Sequence, residues 1–150
     1  LNLKYVRCGY DKQILDDAFS LLVQNKLEQN SIFIHSPSHE DLRALYSYSS
    51  ILCLPTIVDT NPAGLSSLVE GMACGSIVAV PKTISEGYII DEENGLVLED
   101  DFKIFAQKFQ NLSDKRTSIK VNARNFAKKN LNIEKVSKDL NKDFKLKRII

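Results

Sequence analysis

Four consecutive apolar residues, Ile77-Val-Ala-Val80, lie between Gly75-Ser76 and Pro81. A strand with no polar alternation buries both of its faces. That is the pattern of a parallel sheet interior, because an antiparallel sheet usually leaves one face in water. The segment before it, Leu65–Cys74, carries apolar residues at helical spacing and stops at Gly75. Helix followed by buried strand is half of a βαβ unit, and the same rhythm recurs along the chain.

Residues 3–8 read as a strand, and residues 12–27 as an amphipathic helix with Leu15, Ala18, Phe19 and Leu22 inward. Ser31–His35 is a second strand, followed by a turn, Ser36-Pro-Ser38, whose serines can cap a helix over 40–48. Residues 51–54 form a third strand ended by Pro55, 77–80 a fourth, and 95–98 a short fifth after an Asn-Gly turn. The remainder reads as helical over 102–112, 115–129 and 133–144, with a short basic end at Lys145–Arg148 read as solvated. The expected fold is therefore α/β, a parallel sheet covered by helices on both faces, with a helical C-terminal region.

In such sheets ligands bind beyond the carboxyl ends of the strands. Four loops are expected there: Gly9-Tyr-Asp, His35-Ser-Pro-Ser, residues 56–63 and residues 81–87. The third leads into Asn61-Pro-Ala-Gly-Leu-Ser-Ser-Leu-Val-Glu70. A helix that opens beside a glycine presents free N–H groups and the positive end of its dipole, a ready place for a phosphate. Gly64, Leu65, Ser66 and Ser67 supply those groups here, and Gly9 lets backbone approach a phosphate closely. Glu70 lies about one turn inside, where a carboxylate can accept from a sugar diol. These parts suit a nucleoside diphosphate with its ribose, and so a nucleotide-sugar donor. On local physics alone, a helix cap at Ser66 or Ser67 and an ordinary surface glutamate remain the alternative. For Gly9 and His35–Pro37 the alternative is a plain turn.

Composition removes other classes. With 150 residues, 43% of them hydrophobic, the chain has the length and the core of one domain. Its net charge of +1 gives no overall basic field for nucleic acid. No apolar run approaches the roughly 18 residues of a membrane span, and no signal peptide opens the chain. The three cysteines, Cys8, Cys53 and Cys74, are widely spaced without CxxC, so they read as core filler in a reducing compartment. His35 and His39 are separated by Pro37 and share no helical face, so no metal site is expected. A phosphoacceptor receiver module needs acidic residues clustered at strand ends, and Tyr5–Gly9, 33–35 and 52–54 lack them.

Several stretches carry a resemblance. Glu70-Gly-Met-Ala-Cys-Gly75-Ser-Ile-Val-Ala resembles the "E-A-M-A-C-G-x-P-V-V-A" segment of the retaining family-4 (group 1) glycosyltransferases, built on two Rossmann-like domains in the GT-B fold. Tyr5-Val-Arg-Cys-Gly9 and Ile32-Phe-Ile-His35 are similar to two of that family's strands, the second leading into the base-binding loop. Glu40-Asp-Leu-Arg-Ala-Leu-Tyr46 with Ile51-Leu-Cys-Leu-Pro55 resembles "ed-l-x-x-ly … a-d-v-x-v-x-P", and Asp91-Glu-Glu-Asn-Gly95-Leu-Val-Leu98 resembles "D-G-x-N-G-x-L-V".

The resemblance implies the C-terminal, donor-binding half of such an enzyme, with the N-terminal acceptor half and the "G-R-x-x-x-x-K-G" phosphate contacts outside this chain. It implies His35, Ser36 and Pro37 at the base, Gly9 and Gly64–Ser67 at the diphosphate, and Glu70 at the ribose. The base is uridine, guanosine or adenosine. Where the family often has a first glutamate, this chain has Pro62 with Asn61 beside it, closer to a variant pattern "N-P-x-G-x-x-x-x-x-E"; Asn61 and Pro62 are then the sugar contacts. No metal or other cofactor is implied. The implied setting is cytoplasmic, with polysaccharide or lipid-linked glycan synthesis as the process and any membrane contact through the absent half. A sugar-nucleotide epimerase of the same fold, or a Rossmann-like module kept only for binding, is the alternative.

Overall fold

The computed structural model describes residues 5–9, 11–55, 64–132 and 135. The chain divides into two compact units, Leu1–Ala44 and Leu45–Ile150.

In the first unit, β1 (Tyr5–Gly9) and β2 (Ser31–His35) pair in parallel, with Tyr5 opposite Ser31 and Gly9 opposite His35. The crossover helix α1 (Lys12–Gln24) starts on Asp11, whose carboxylate accepts from the Ile14 N–H at 3.2 Å. Phe19 of α1 meets Phe33 edge-on at 5.4 Å, and Phe33 meets Tyr5 at 6.3 Å, so the helix covers one sheet face through aromatic contacts. Leu15 is buried as expected, whereas Phe19 keeps 45% of its surface exposed.

The helix expected to reach residue 27 ends at Gln24. Lys26 takes a left-handed conformation (φ 57°), and the Lys26 and Leu27 N–H groups bond back to the Val23 and Leu22 carbonyls. This is a Schellman ending made without glycine. Helix α2 (His39–Tyr48) opens as a reciprocal box: the Ser38 hydroxyl accepts from the Asp41 N–H at 3.1 Å, and the Asp41 carboxylate accepts from the Ser38 N–H at 3.0 Å. The same carboxylate accepts from the Ser38 hydroxyl, and these hydrogen bonds hold the Asp41 carboxyl below its ordinary pKa.

The second unit is built on three parallel strands in the order β3 (Leu52–Cys53), β4 (Val78–Val80) and β5 (Leu96–Val97). The central strand is fully buried on both faces, as four successive apolar residues required. Val78 and Val80 join Leu68 and Met72 of α3 (Leu65–Cys74) and Ala123 and Ala127 of α6 (Arg116–Asn130). Ile77 and Ala79 point the other way, to Phe105 of α5 (Phe102–Asn111), Leu112 and Ile119. The parallel α/β fold with helices on both sides is thus present.

Segment 81–87, expected as a loop, contains the one-turn helix α4 (Lys82–Ser85). A single turn is too short to show periodicity. Of the helix expected over 133–144, only Lys135 lies among the described residues, and it is helical. Cys53 is exposed, not core filler, because β3 lies at the edge of its three-stranded sheet; Cys8 and Cys74 are half-buried, and all three are free thiols.

The motif Asp91-Glu-Glu-Asn-Gly95 is the clamp on β5. Asn94 is buried; its side-chain oxygen accepts from the Ile90 N–H at 2.7 Å, and its amide donates to the Tyr88 carbonyl at 3.1 Å. The Asp91 carboxylate accepts from the Val97 N–H at 2.9 Å and pairs with Lys108. Lys108 also meets Glu99 at 3.1 Å. Burial works against the Lys108 charge, yet the hydrogen bonds and charges of Asp91 and Glu99 outweigh it and raise its pKa.

Candidate functional site

Helix α3 spans the ten residues expected of it and stops on Gly75, whose φ of 78° is the left-handed ending that glycine permits. Its buried residues Leu68, Gly71 and Met72 form one stripe at i, i+3 and i+4. Gly71 presses against the sheet so closely that a β-carbon there would stand 2.6 Å from Leu52 Cδ2 and 3.0 Å from Val78 Cγ2. The tight seat fixes the helix on the strands that carry it.

Asp11, Ser38 with Asp41, and Asp101 cap α1, α2 and α5 through side chains, whereas α3, like α4 and α6, shows no side-chain cap among the described residues. The N-cap of α3 is Gly64, left-handed at φ 91°, and no side chain among the described residues caps it. The Leu68 N–H is the first to bond back, to the Gly64 carbonyl at 2.9 Å. The alternative, that Ser66 or Ser67 serves as the cap, does not hold. A serine caps from the residue before the helix, and both lie inside it. The first-turn N–H groups of Leu65, Ser66 and Ser67 are directed out of the helix start, as an anion site requires.

Glu70 is exposed and lies four and three residues after Ser66 and Ser67, hence on their side of the helix and away from the buried stripe. The rise per residue puts its backbone about 5–6 Å further along the axis. An anion at the helix start and a diol over the next turn would meet N–H donors first and a carboxylate acceptor second. Glu86, the other carboxylate near this edge, is an exposed residue after α4, as expected of a loop glutamate. Asn61 and Pro62 lie outside the described residues, as does most of the loop that precedes them.

In the first unit, Gly9 and His35 are register partners and end β1 and β2 together. Ser36 follows in a left-handed conformation (φ 51°), unusual for a residue with a side chain, and Pro37 is buried beneath the turn. The His35 ring lies 3.5 Å from the Ser36 hydroxyl. Gly9 and His35–Pro37 are thus gathered at one sheet end in one unit, and Gly64–Ser67 with Glu70 on one helix in the other. The strained Ser36 turn is a feature that the sequence did not announce, since serine carries no signal for positive φ.

Among the described residues no group of three or more His, Cys, Asp or Glu stands close enough to hold a metal ion. No helix among them is long and apolar enough to cross a membrane.

The family model described as "Glycosyl transferases group 1" matches residues 2–131. No curated protein sequence matches the chain. Among solved structures, HepE of Anabaena, crystallised with UDP-glucose, superposes with a TM-score of 0.79 at 16% identity, over 95% of this chain and 40% of that one. Sucrose-phosphate synthase from Thermosynechococcus elongatus gives 0.79 at 22% identity, over 94% and 37%. The C-terminal domain of a group 1 family glycosyl transferase (LpcC) from Francisella tularensis gives 0.64 at 23% identity, over 82% and 65%. At these identities the likeness is one of fold. The chain spans about 40% of the length of the first two.

Proposed function

The chain belongs to the group 1 glycosyl transferases, and from that premise we propose that it is the donor-binding, C-terminal domain of a retaining enzyme that moves a sugar from a nucleoside diphosphate to an acceptor. The observation that carries this reading is the start of α3: a helix opening on left-handed Gly64 with no side-chain cap among the described residues, and Glu70 exposed one turn later on the side of Ser66 and Ser67. The covered fraction of HepE, a protein solved with UDP-glucose, and the likeness to an isolated C-terminal domain support it.

In this reading, the chemistry places negative charge on the leaving diphosphate, and the N–H groups of Leu65, Ser66 and Ser67 stabilise that charge in fixed positions. They do so without a metal ion. Glu70 accepts from the ribose 2′- and 3′-hydroxyls, Gly9 admits backbone to the phosphates, and backbone at His35, Ser36 and Pro37 lines the base. Asn61 and Pro62 meet the sugar, Asn61 as a neutral amide. The acceptor is held by a further domain of the whole enzyme, working in the cytoplasm on a cell-surface polysaccharide or lipid-linked glycan. This domain alone then binds nucleotide and transfers little.

Calorimetric titration with UDP, GDP and ADP tests the reading. One of them binds saturably, and Glu70→Ala weakens it by about 1.5–3 kcal/mol, the worth of a hydrogen bond to a charged group. Binding of none by the folded chain, or equal binding by Glu70→Ala, contradicts it.

A further inference from the structure

The near-neutral total conceals a strong segregation of charge. Residues 1–114 hold eight Lys and Arg against sixteen Asp and Glu, whereas residues 115–150 hold twelve against three. The chain is thus an acidic body of net −8 followed by a basic end of net +9. The whole-chain sum of +1 is therefore no guide to the field around the C-terminal part.

Helix α6 shows what the structure makes of that basic end. It carries five cations and no carboxylate in fifteen residues. Two are used in packing: the Arg116 guanidinium lies 4.1 Å over the Phe109 ring, and Lys120 donates to the Ser49 carbonyl at 3.3 Å. The buried stripe of Ile119, Ala123 and Ala127 turns the other three outward. Arg124, Lys128 and Lys129 are exposed, and no carboxylate among the described residues pairs with them. Val121, 53% exposed, stands one turn before Arg124 on the same side.

We propose that this outer face of α6 docks on an anionic lipid bilayer surface. Charge complementarity carries the choice, and Val121, aliphatic and exposed among the cations of the described face, favours a bilayer over a nucleic acid. The described face offers no exposed aromatic ring for base stacking; Phe126, the one aromatic of α6, is half-buried against the core. The inference stands apart from the donor-site reading, and it places a membrane contact on this chain.

The test is cosedimentation of the full chain with vesicles of phosphatidylcholine alone, or containing about 30 mol% phosphatidylglycerol, at about 0.1 M salt. Binding to the anionic vesicles only, released at about 0.5 M salt, is expected. Each surface cation near an anionic leaflet is worth about fivefold, so Arg124→Gln/Lys128→Gln/Lys129→Gln weakens binding by about 100-fold with an unchanged melting temperature. Lys12→Gln/Lys26→Gln/Lys103→Gln, with the same change in net charge, leaves binding intact. Equal binding to neutral vesicles, no binding to anionic ones, or an equal loss in both triple variants overturns the proposal. So does tighter binding to a DNA duplex than to anionic vesicles, lost in the same α6 variant.

Discussion

Gly71 occupies a position where the resembling family pattern has alanine, so Gly71→Ala looks like a stabilising consensus change. In a helix interior it would gain about 1 kcal/mol from propensity alone. The structure reverses the sign. A β-carbon at Gly71 meets Leu52 Cδ2 at 2.6 Å and Val78 Cγ2 at 3.0 Å, both inside ordinary van der Waals contact. Leu52 can swing its terminal methyl away, but Val78 is β-branched, fully buried and central in the sheet. Overpacking of this kind costs about 1–3 kcal/mol, which outweighs the propensity gain. The expected net loss is about 1 kcal/mol, or a fall of about 2–4 °C in Tm for a chain of this size. Urea denaturation of four proteins forms the assay: the parent, Gly71→Ala, Leu52→Ala and the double variant. With Leu52 shortened the 2.6 Å contact is gone while the Val78 contact stays, so adding Gly71→Ala to that background should cost less than it does in the parent. A single variant that gains stability, or the same effect in both backgrounds, refutes the packing argument.

Gly95→Ala should be more damaging, because its β-carbon would stand 2.9 Å from the Val78 carbonyl oxygen, backbone that cannot swing aside, and 2.5 Å from Ile89 Cδ1; a loss of about 1–3 kcal/mol in a urea melt is expected. Asp41 gives a pH dependence. Its folded pKa lies below the ordinary 3.8, so its contribution is fully present above that value and fades as pH falls through the folded pKa. The stability difference between the parent and Asp41→Ala should therefore be visible at about pH 6 and shrink towards about pH 2.

Much of the fold was legible because its signals are local. The ten residues of α3 were bounded by a glycine on each side, and the uninterrupted apolar run around β4 could only be a doubly buried strand. The end of α1 was not legible, since Lys26 closes a Schellman motif where a glycine would have signalled one. The one-turn α4 has no period to detect. At the candidate site, the sequence supplied the glycine, the serines and the glutamate but read the serines as possible caps. Only the backbone shows that Gly64 is the cap and that no side chain among the described residues caps the helix start. The motif ending Asn94-Gly95 carries a resemblance, yet its atoms clamp β5 in place: Asn94 ties down the loop and Gly95 leaves room for the Val78 carbonyl. Its recurrence in the pattern has a packing reason. The charge on α6 was legible residue by residue and was lost only in the whole-chain sum.

The central claim is that the start of α3 receives a diphosphate. The measurement that meets it most directly is an amide NMR titration of the chain with whichever nucleoside diphosphate binds, followed residue by residue. The account predicts that the N–H signals of Leu65, Ser66 and Ser67 shift most and saturate together, with smaller changes at Glu70. Saturable binding that leaves those three amides unmoved would contradict it.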